Sequence, residues 1–93
     1  MIRSFKDKET EKIYSREGSN KLPQDIQQAA LRKLRMINNA KTIKDLKVPP
    51  ANRLEKLKGS RDGQLSIRIN DKWRVCFRWH GSEAYDVGIE DYH

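Results

Sequence analysis

Three runs in the second half of the chain alternate apolar and polar residues, and this alternation constrains the fold more than any other feature. Their apolar members are Leu65, Ile67 and Ile69, then Trp73, Val75, Phe77 and Trp79, then Tyr85, Val87 and Ile89. Successive side chains of a strand point to opposite faces, so each run predicts a strand with one apolar face. Turn-forming residues separate the runs, at Asn70-Asp71 and at His80-Gly81-Ser82. The pattern predicts an antiparallel meander of three strands.

A helix is predicted to open at Leu22-Pro23-Gln24-Asp25, because proline is well tolerated in the first turn of a helix. From Ile26 onward, one arc of about 160° collects seven apolar residues and also contains Lys33. The seven are Ile26, Ala29, Ala30, Leu34, Met36, Ile37 and Ala40. Asn38-Asn39 is expected to fray the end of this helix.

Weaker signals surround the long helix. Residues 2–5 are predicted as a first strand, 9–17 as at most a short helix, and 54–57 as a weak strand. The Thr42–Asp45 stretch has capping-box spacing and predicts one further helical turn. Pro49-Pro50 is expected to interrupt regular structure, since the residue before a proline avoids the helical conformation. Residues 58–63 are predicted as a loop.

Together these elements predict a single α+β domain over residues 1–93. Two amino-terminal helices would pack on one face of a twisted, mostly antiparallel sheet. The face under the helices would hold Ile67, Ile69, Val75 and Phe77. The other face would remain open to solvent and carry Ser66, Arg68, Arg74, Cys76 and Arg78. A strand slip of one residue would exchange the two faces, so we expect a firmly fixed register.

The chain is basic, with 20 Lys and Arg against 13 Asp and Glu and a formal net charge of +7. Residues 53–79 carry eight basic and three acidic side chains, whereas residues 80–93 carry four acidic and no Lys or Arg. A basic balance favours a polyanionic partner, with nucleic acid preferred over membrane. The plainer alternative is that the charge serves only solubility.

Several classes of protein are disfavoured by what the sequence lacks. No apolar run is long enough to span a membrane, and Met1–Asp7 shows no signal-peptide core. Cys76 is the only cysteine, which excludes an internal disulfide and a zinc site built on several cysteines. Its setting in an alternating strand favours a packed thiol over a nucleophile. We therefore expect a cytoplasmic protein that uses no metal or other cofactor.

With these residues laid out, the chain resembles the HigB-type toxins of bacterial toxin–antitoxin systems, in the RelE superfamily. The resemblance covers essentially the whole length. It is carried by Asn52-Arg53-Leu54-Glu55-x-Leu57-Lys58-Gly59, by Gly63-x-x-Ser66-Ile67-Arg68-Ile69-Asn70-x-x-Trp73-Arg74, and by the terminal Asp91-Tyr92-His93. It implies a RelE-like microdomain, in agreement with the predicted α+β fold.

The resemblance also implies a function and partners. Members of this family enter the A site of the 70S ribosome and cleave mRNA during translation. They are neutralised by a HigA-like helix-turn-helix antitoxin, and the complex represses its own operon by binding operator DNA.

Family positions fall on particular residues of this chain. The terminal Asp, Tyr and His correspond to Asp91, Tyr92 and His93, the active-site Lys to Lys58, and the strand Arg to Arg74. Some members carry a catalytic histidine where this chain has Glu55, and others carry Glu there as this chain does. The residues expected to bind RNA are Arg53, Arg61, Arg68, Lys72 and Arg78.

Metal-free RNA cleavage needs a base for the ribose 2′-OH, an acid for the leaving 5′-oxygen, and cations for the charge that builds on the phosphate. His93 is assigned as general acid or base, with Glu55 or Asp91 in the opposite role. Lys58 and Arg74 would stabilise the transition state. Tyr92 would stack an unpaired base or orient the phosphate.

Three alternatives stay open from the sequence. A ParE-like protein would share the fold and inhibit DNA gyrase, although the Asp91-Tyr92-His93 end argues against it. A non-catalytic RNA-binding or ribosome-binding module would need the basic face but neither Glu55 nor His93. A relic could persist only as the antitoxin's co-repressor. The site residues also have ordinary interpretations, as a solvated terminus, a surface ion pair or the wet face of a sheet.

Overall fold

The protein is a four-stranded antiparallel sheet with two helices, as seen in a computed structural model that describes residues 1–91. The helices are α1 (Lys8–Tyr14) and α2 (Gln24–Asn39). The strands are β1 (Glu55–Lys56), β2 (Gln64–Arg68), β3 (Trp73–His80) and β4 (Glu83–Asp91), hydrogen-bonded in the order β1-β2-β3-β4. The predicted α+β fold, with two amino-terminal helices on an antiparallel sheet, is confirmed.

The predicted turn at Asn70-Asp71 fixes the pairing of β2 with β3. The Asn70 side-chain oxygen accepts hydrogen bonds from the backbone N–H groups of Lys72 and Trp73, at 2.9 and 2.8 Å. With the turn held in this way, Ile67 lies opposite Val75, and Arg68 lies opposite Arg74. Side chains that share a face are therefore known residue by residue.

The apolar core lies between α2 and the sheet. Leu34 and Ile37 of α2, and Ile67, Val75 and Phe77 of the sheet, are all fully buried. Each large apolar side chain moved out of water in this way contributes about 1.5–3 kcal/mol to stability before entropy costs are counted. The face predicted to lie under the helices is the face that they cover.

The predicted first strand is present only as two isolated bridges. Ile2 pairs with Ala84 and Phe5 with Val87, both in parallel orientation. The segment nevertheless lies along the outer edge of β4, where Lys6 N–H donates to the Val87 carbonyl at 2.9 Å. Covering an edge strand in this way removes a site for unwanted strand pairing.

The second face of the sheet differs from the open, solvated surface that the sequence predicted. Ser66, Arg74 and Cys76 are buried, with Arg74 only 5% exposed. Arg68 is half-buried, and Arg78 alone of the predicted set is exposed. Chain segments from outside the sheet cover this face and bond to its polar groups, which alternation alone does not reveal.

The connection between α2 and β1 is built from two 3₁₀ turns, Ile43–Lys47 and Pro50–Asn52. The predicted capping box is present, with the Asp45 carboxylate accepting from the N–H of Thr42 at 3.2 Å. The predicted 58–63 loop contains a third 3₁₀ turn, Gly59–Arg61. Within residues 1–91, no helix is both long and apolar enough to cross a membrane.

Candidate active site

The register of the sheet places a row of polar positions across its second face. Glu55 of β1 lies opposite Ser66 of β2, and Ser66 lies opposite Cys76 of β3. One step along, Arg74 lies between Arg68 of β2 and Glu90 of β4. Arg74 thus occupies the middle of the face, on one of the two central strands.

Within residues 1–91, contacts with Ser66, Arg53 and Glu55 fix the guanidinium of Arg74. Nε donates to Ser66 Oγ at 2.8 Å, and Nη2 donates to the carbonyl oxygens of Arg53 at 2.6 Å and Ser66 at 3.3 Å. Nη1 lies 3.6 Å from Glu55 Oε1. The planar fork of an arginine makes such multiple contacts strongly directional. Arg74 is therefore a cation held in one orientation.

The Arg53 carbonyl is itself held by the turn that precedes β1. Arg53 adopts a left-handed conformation, with φ of 46°, and its N–H donates to the Pro50 carbonyl at 3.0 Å. A non-glycine residue is uncommon in this region and needs surrounding structure to keep it there. The turn points the Arg53 carbonyl at the sheet, where Arg74 Nη2 donates a hydrogen bond to it.

Buried Asn52 anchors this turn to the helix side of the molecule. Its Nδ2 donates to the carbonyl of Leu46 at 3.2 Å, and its Oδ1 accepts from Lys33 Nζ at 2.5 Å. Burial lowers the pKa of Lys33, and the neighbouring charges of Arg32 and Arg68 lower it further. Lys33, the one charged residue in the predicted apolar arc of α2, thus finds a buried partner.

A second cluster centres on Glu90, at the end of β4. Arg61 Nη1 and Nη2 reach its two carboxylate oxygens at 2.7 and 2.8 Å, and Lys6 Nζ contacts Oε2 at 3.1 Å. Burial raises the pKa of Glu90, but hydrogen bonds from Arg61 and Lys6 outweigh it and leave the pKa lowered. Burial, together with the charge of Glu90, raises the pKa of the Cys76 thiol. Cys76 is a packed thiol, as predicted.

Three other predicted RNA-binding residues are more exposed than Arg74 and pair with nearby carboxylates. Arg68 pairs with Asp71, Arg78 Nε lies 3.7 Å from Asp86, and Lys72 Nζ lies 3.5 Å from Asp91. In the sequence, three neighbouring arginines indicate mutual repulsion that an anionic ligand would relieve. In the structure Arg68, Arg74 and Arg78 each have a carboxylate neighbour. That repulsion therefore does not by itself require a ligand.

The structure brings some predicted catalytic residues together and leaves others apart. Glu55 and Arg74 are in contact, with Glu55 about half exposed. Lys58 is exposed in the loop that follows β1, and Asp91 ends β4 opposite Trp73. Predicted catalytic residues Tyr92 and His93 lie outside the described residues.

Three residues that hold the site in place were not predicted from the sequence: Ser66, Asn52 and Glu90. For Ser66 a signal existed, because once the Asn70 turn sets the register, the serine lies diagonally beside Arg74 on the same face. For Asn52 and Glu90 the partners lie 19 and 29 residues away along the chain, with no local pattern to indicate them. Across residues 1–91, no group of three His, Cys, Asp or Glu side chains is arranged to hold a metal ion.

Chemically, this arrangement combines an oriented cation with an accessible carboxylate. Arg74 can stabilise negative charge without reorganising, because its contacts already fix the guanidinium. Glu55 lies at the edge of the sheet, where a substrate can approach it. The pair suits a reaction in which charge develops on a phosphate near a proton acceptor.

Known structures and sequences place this geometry in context. A crystal structure of a YafQ variant from E. coli aligns over 99% of this chain and 92% of that one, with a TM-score of 0.61 and 12% identity. YafQ from E. coli strain BL21(DE3) gives a TM-score of 0.58 at 15% identity, over the same shares of the two chains. At such identity the likeness shows the fold alone.

Sequence relatives are closer. Toxin HigB-1 of Vibrio cholerae serotype O1 is 40% identical over 91 residues, covering 97% of this chain and 96% of the relative. Endoribonuclease HigB of Proteus vulgaris is 34% identical over 94 residues and is covered in full. The family model described as the RelE-like toxin of the type II toxin–antitoxin system HigB matches residues 3–93. The chain therefore belongs to the HigB-like toxin family, and its membership of a type II system implies an antitoxin partner.

Proposed function

We propose that this protein is an endoribonuclease that cleaves mRNA in the A site of the 70S ribosome and so stops translation. The relative from Proteus vulgaris that matches over its full length bears the name of an endoribonuclease. The uneven basic charge of the chain favours a nucleic-acid substrate. Ribosome dependence rests on the resemblance noted in the sequence.

The observation that carries this proposal is the buried, fixed guanidinium of Arg74 beside Glu55. Arg74 is 5% exposed and bonded at Nε and Nη2, while Nη1 lies 3.6 Å from Glu55. A cation held ready in this way stabilises the charge that develops on a phosphate during cleavage. The loss of one such preorganised group costs about 10²–10³-fold in rate.

The acid and base are assigned from the resemblance and from chemistry. His93 is the general acid or base, and Glu55 or Asp91 takes the opposite role in a reaction initiated by the ribose 2′-OH. Lys58 supplies a second cation. Tyr92 stacks an unpaired base or orients the phosphate. Proton transfer by a positioned side chain contributes about 10²–10⁴-fold.

The RNA backbone is proposed to contact the cationic residues around Arg74, namely Arg53, Arg61, Arg68, Lys72 and Arg78. Arg61 already holds Glu90 with two hydrogen bonds, so it would contribute charge more than a new contact. Arg53 and Arg78 are exposed, so their side chains are better placed to contact RNA directly.

The antitoxin is proposed to be a HigA-like helix-turn-helix protein, and the complex to repress its own operon at the operator. A toxin that acts on ribosomes would work in the cytoplasm.

The test is primer extension on a reporter mRNA in a translating extract, with and without ribosomes. Wild-type protein should create new 5′ ends at A-site codons only when ribosomes are present. Arg74→Ala should lower the cleavage rate by about 10²–10³-fold. His93→Ala should lower it comparably if proton transfer limits the rate.

Arg3→Ala is the matched control, because Arg3 forms an exposed ion pair with Glu83 near the start of β4 and has no assigned role. It should cleave at the wild-type rate. Inhibited translation without cuts would indicate a ribosome-binding inhibitor instead of a nuclease. Wild-type rates from both Arg74→Ala and His93→Ala would refute the assigned mechanism. Inhibition of gyrase with no RNA breaks would point to the ParE-like alternative.

A further inference from the structure

We propose that Ser66 is a positioning residue that sets the orientation of the Arg74 guanidinium for RNA cleavage. The inference rests on the proposed nuclease function and adds a residue to which no role has been assigned. Ser66 is fully buried and does not itself reach the substrate. It would act through Arg74.

The geometry shows which edge of the guanidinium is anchored. Ser66 Oγ accepts from Nε at 2.8 Å, and the Arg53 carbonyl accepts from Nη2 at 2.6 Å. Nε and Nη2 lie on the same edge of the planar group, so two acceptors on that edge determine both its position and its tilt. Nη1, on the other side of the group, lies 3.6 Å from Glu55 Oε1.

A hydroxyl suits this position better than the alternatives. An acidic side chain at residue 66 would neutralise Arg74 and weaken its attraction for phosphate. Alanine would leave the buried Nε–H without its acceptor, which is costly for a charged donor. Serine fills the small space between strands and accepts the hydrogen bond without adding charge.

The same sheet register brings two of the partners of Arg74, Ser66 and Glu55, side by side. Ser66 lies opposite Glu55 on the neighbouring strand, so the anchor and the carboxylate are fixed by one pairing. A shift of the guanidinium would therefore change its distance from Glu55 as well as from the substrate. Displacement of a catalytic group by about 1 Å can cost about 10²-fold in rate.

The experiment measures single-turnover mRNA cleavage on programmed ribosomes, at varied protein concentration. Ser66→Ala should lower the maximal rate by about 10- to 100-fold and leave the half-saturating concentration unchanged. Ser66→Thr keeps an oxygen acceptor and should recover most of the lost rate. A merely structural role would not separate the rate from the half-saturating concentration in this way.

A double-mutant cycle decides whether Ser66 acts through Arg74. In an Arg74→Ala background, Ser66→Ala should cause no further loss. Ser19→Ala is the matched control, because Ser19 is also a buried serine whose hydroxyl bonds a charged side chain, here Glu9 at 2.5 Å. It lies in the α1–α2 loop and should retain the wild-type rate. Thermal unfolding by circular dichroism checks that each variant is folded.

A wild-type rate for Ser66→Ala, or an equal loss in both backgrounds, would overturn the proposal. If Ser66→Ala fails to fold, Ser66→Cys, with its weakly accepting sulfur, takes its place.

If the wild-type protein cuts no RNA, the proposed function fails, and NMR alone tests whether Ser66 positions Arg74. The Nε–H resonance of Arg74 should exchange slowly with solvent in the wild type and rapidly in the variant. Unchanged exchange would overturn the positioning role itself.

Discussion

Cys76 and Phe77 are neighbours on β3 that point to opposite faces of the sheet, and both are almost inaccessible to solvent. Phe77 is buried among apolar side chains of the core. Cys76 is buried on a face where Ser66 accepts a hydrogen bond from Arg74, and where Arg74 and Glu90 bond to groups from outside the sheet. The face with Phe77 is stabilised by the burial and packing of apolar side chains, and the face with Cys76 by hydrogen bonds and ion pairs. The polar face can hold charged groups in fixed places because the apolar face stabilises the fold.

The largest expected effect on stability comes from removing a large side chain from the apolar face. Phe77→Ala should lower the free energy of unfolding by about 3–5 kcal/mol, through lost burial and the cavity left behind. Cys76→Ala, its neighbour on the polar face, should cost only about 1 kcal/mol. Urea unfolding followed by circular dichroism measures both. Equal costs at the two positions would contradict the comparison.

Asn52 is a buried polar side chain on the helix side of the sheet, and its contribution to stability can be compared with that of an apolar core residue. Asn52→Ala removes the acceptor of Lys33 Nζ and the donor to the Leu46 carbonyl. Leaving buried groups unsatisfied should cost about 2–3 kcal/mol. Asn20→Ala, at an exposed position, is the control and should be near neutral. A cost below about 0.5 kcal/mol for Asn52→Ala would show that the turn before β1 holds without this side chain.

Glu90 should make the stability of the polar face depend on pH. Its pKa is lowered in the folded protein, where burial is outweighed by the hydrogen bonds from Arg61 and Lys6. Its contribution is therefore complete above the unfolded pKa, about 4.3, and is lost as the pH falls through the lower folded value. Glu90→Gln should cost about 1–2 kcal/mol at neutral pH.

The measurement is the free energy of unfolding of wild type and Glu90→Gln at several pH values between about 7 and 3. The two curves should converge as the pH falls. A constant difference across that range would show that the carboxylate charge of Glu90 does not contribute. Phe77→Leu, on the apolar face, should instead run parallel to the wild type.

The smallest effect is expected at the solvated end of the polar face. Arg78 and Asp86 are 48% and 61% exposed and lie 3.7 Å apart. Exposed pairs of this kind contribute about 0–1 kcal/mol, so Arg78→Ala should barely change the melting temperature. Arg61→Ala, which breaks the bidentate contact with Glu90, should cost more. The reverse ranking would mean that burial does not govern the strength of these pairs.

Local patterns predicted the elements of the fold well. Alternation at Ile67, Val75 and Phe77 located the strands and the buried face, and the Asn70-Asp71 turn set the register. The helix from Gln24 to Asn39 followed from its apolar arc and its early proline. These signals are readable because each arises from residues close together in the chain.

The burial of the polar face could not be predicted in the same way. It depends on the Arg53 carbonyl reaching Arg74 over 21 residues and on Lys6 reaching Glu90 over 84. In the sequence, residues 80–93 showed only an excess of acidic side chains. In the fold Glu83 pairs with Arg3, and Asp86 with Arg78. The tertiary structure determines which cation pairs with which carboxylate, and the amino-acid composition does not predict these pairs.

The pairing of residues 2–5 with β4 also bears on how the protein is made. Ser4 Oγ accepts from the N–H of Asp86, 82 positions away, and Thr10 Oγ1 accepts from the N–H of Ile89. During synthesis residues 2–5 emerge first, and they cannot pair until β4 has also emerged. Contacts between such distant residues also slow folding. The sheet edge is therefore closed only after β4 has been synthesised, and a nascent chain carries an unpaired early segment until then.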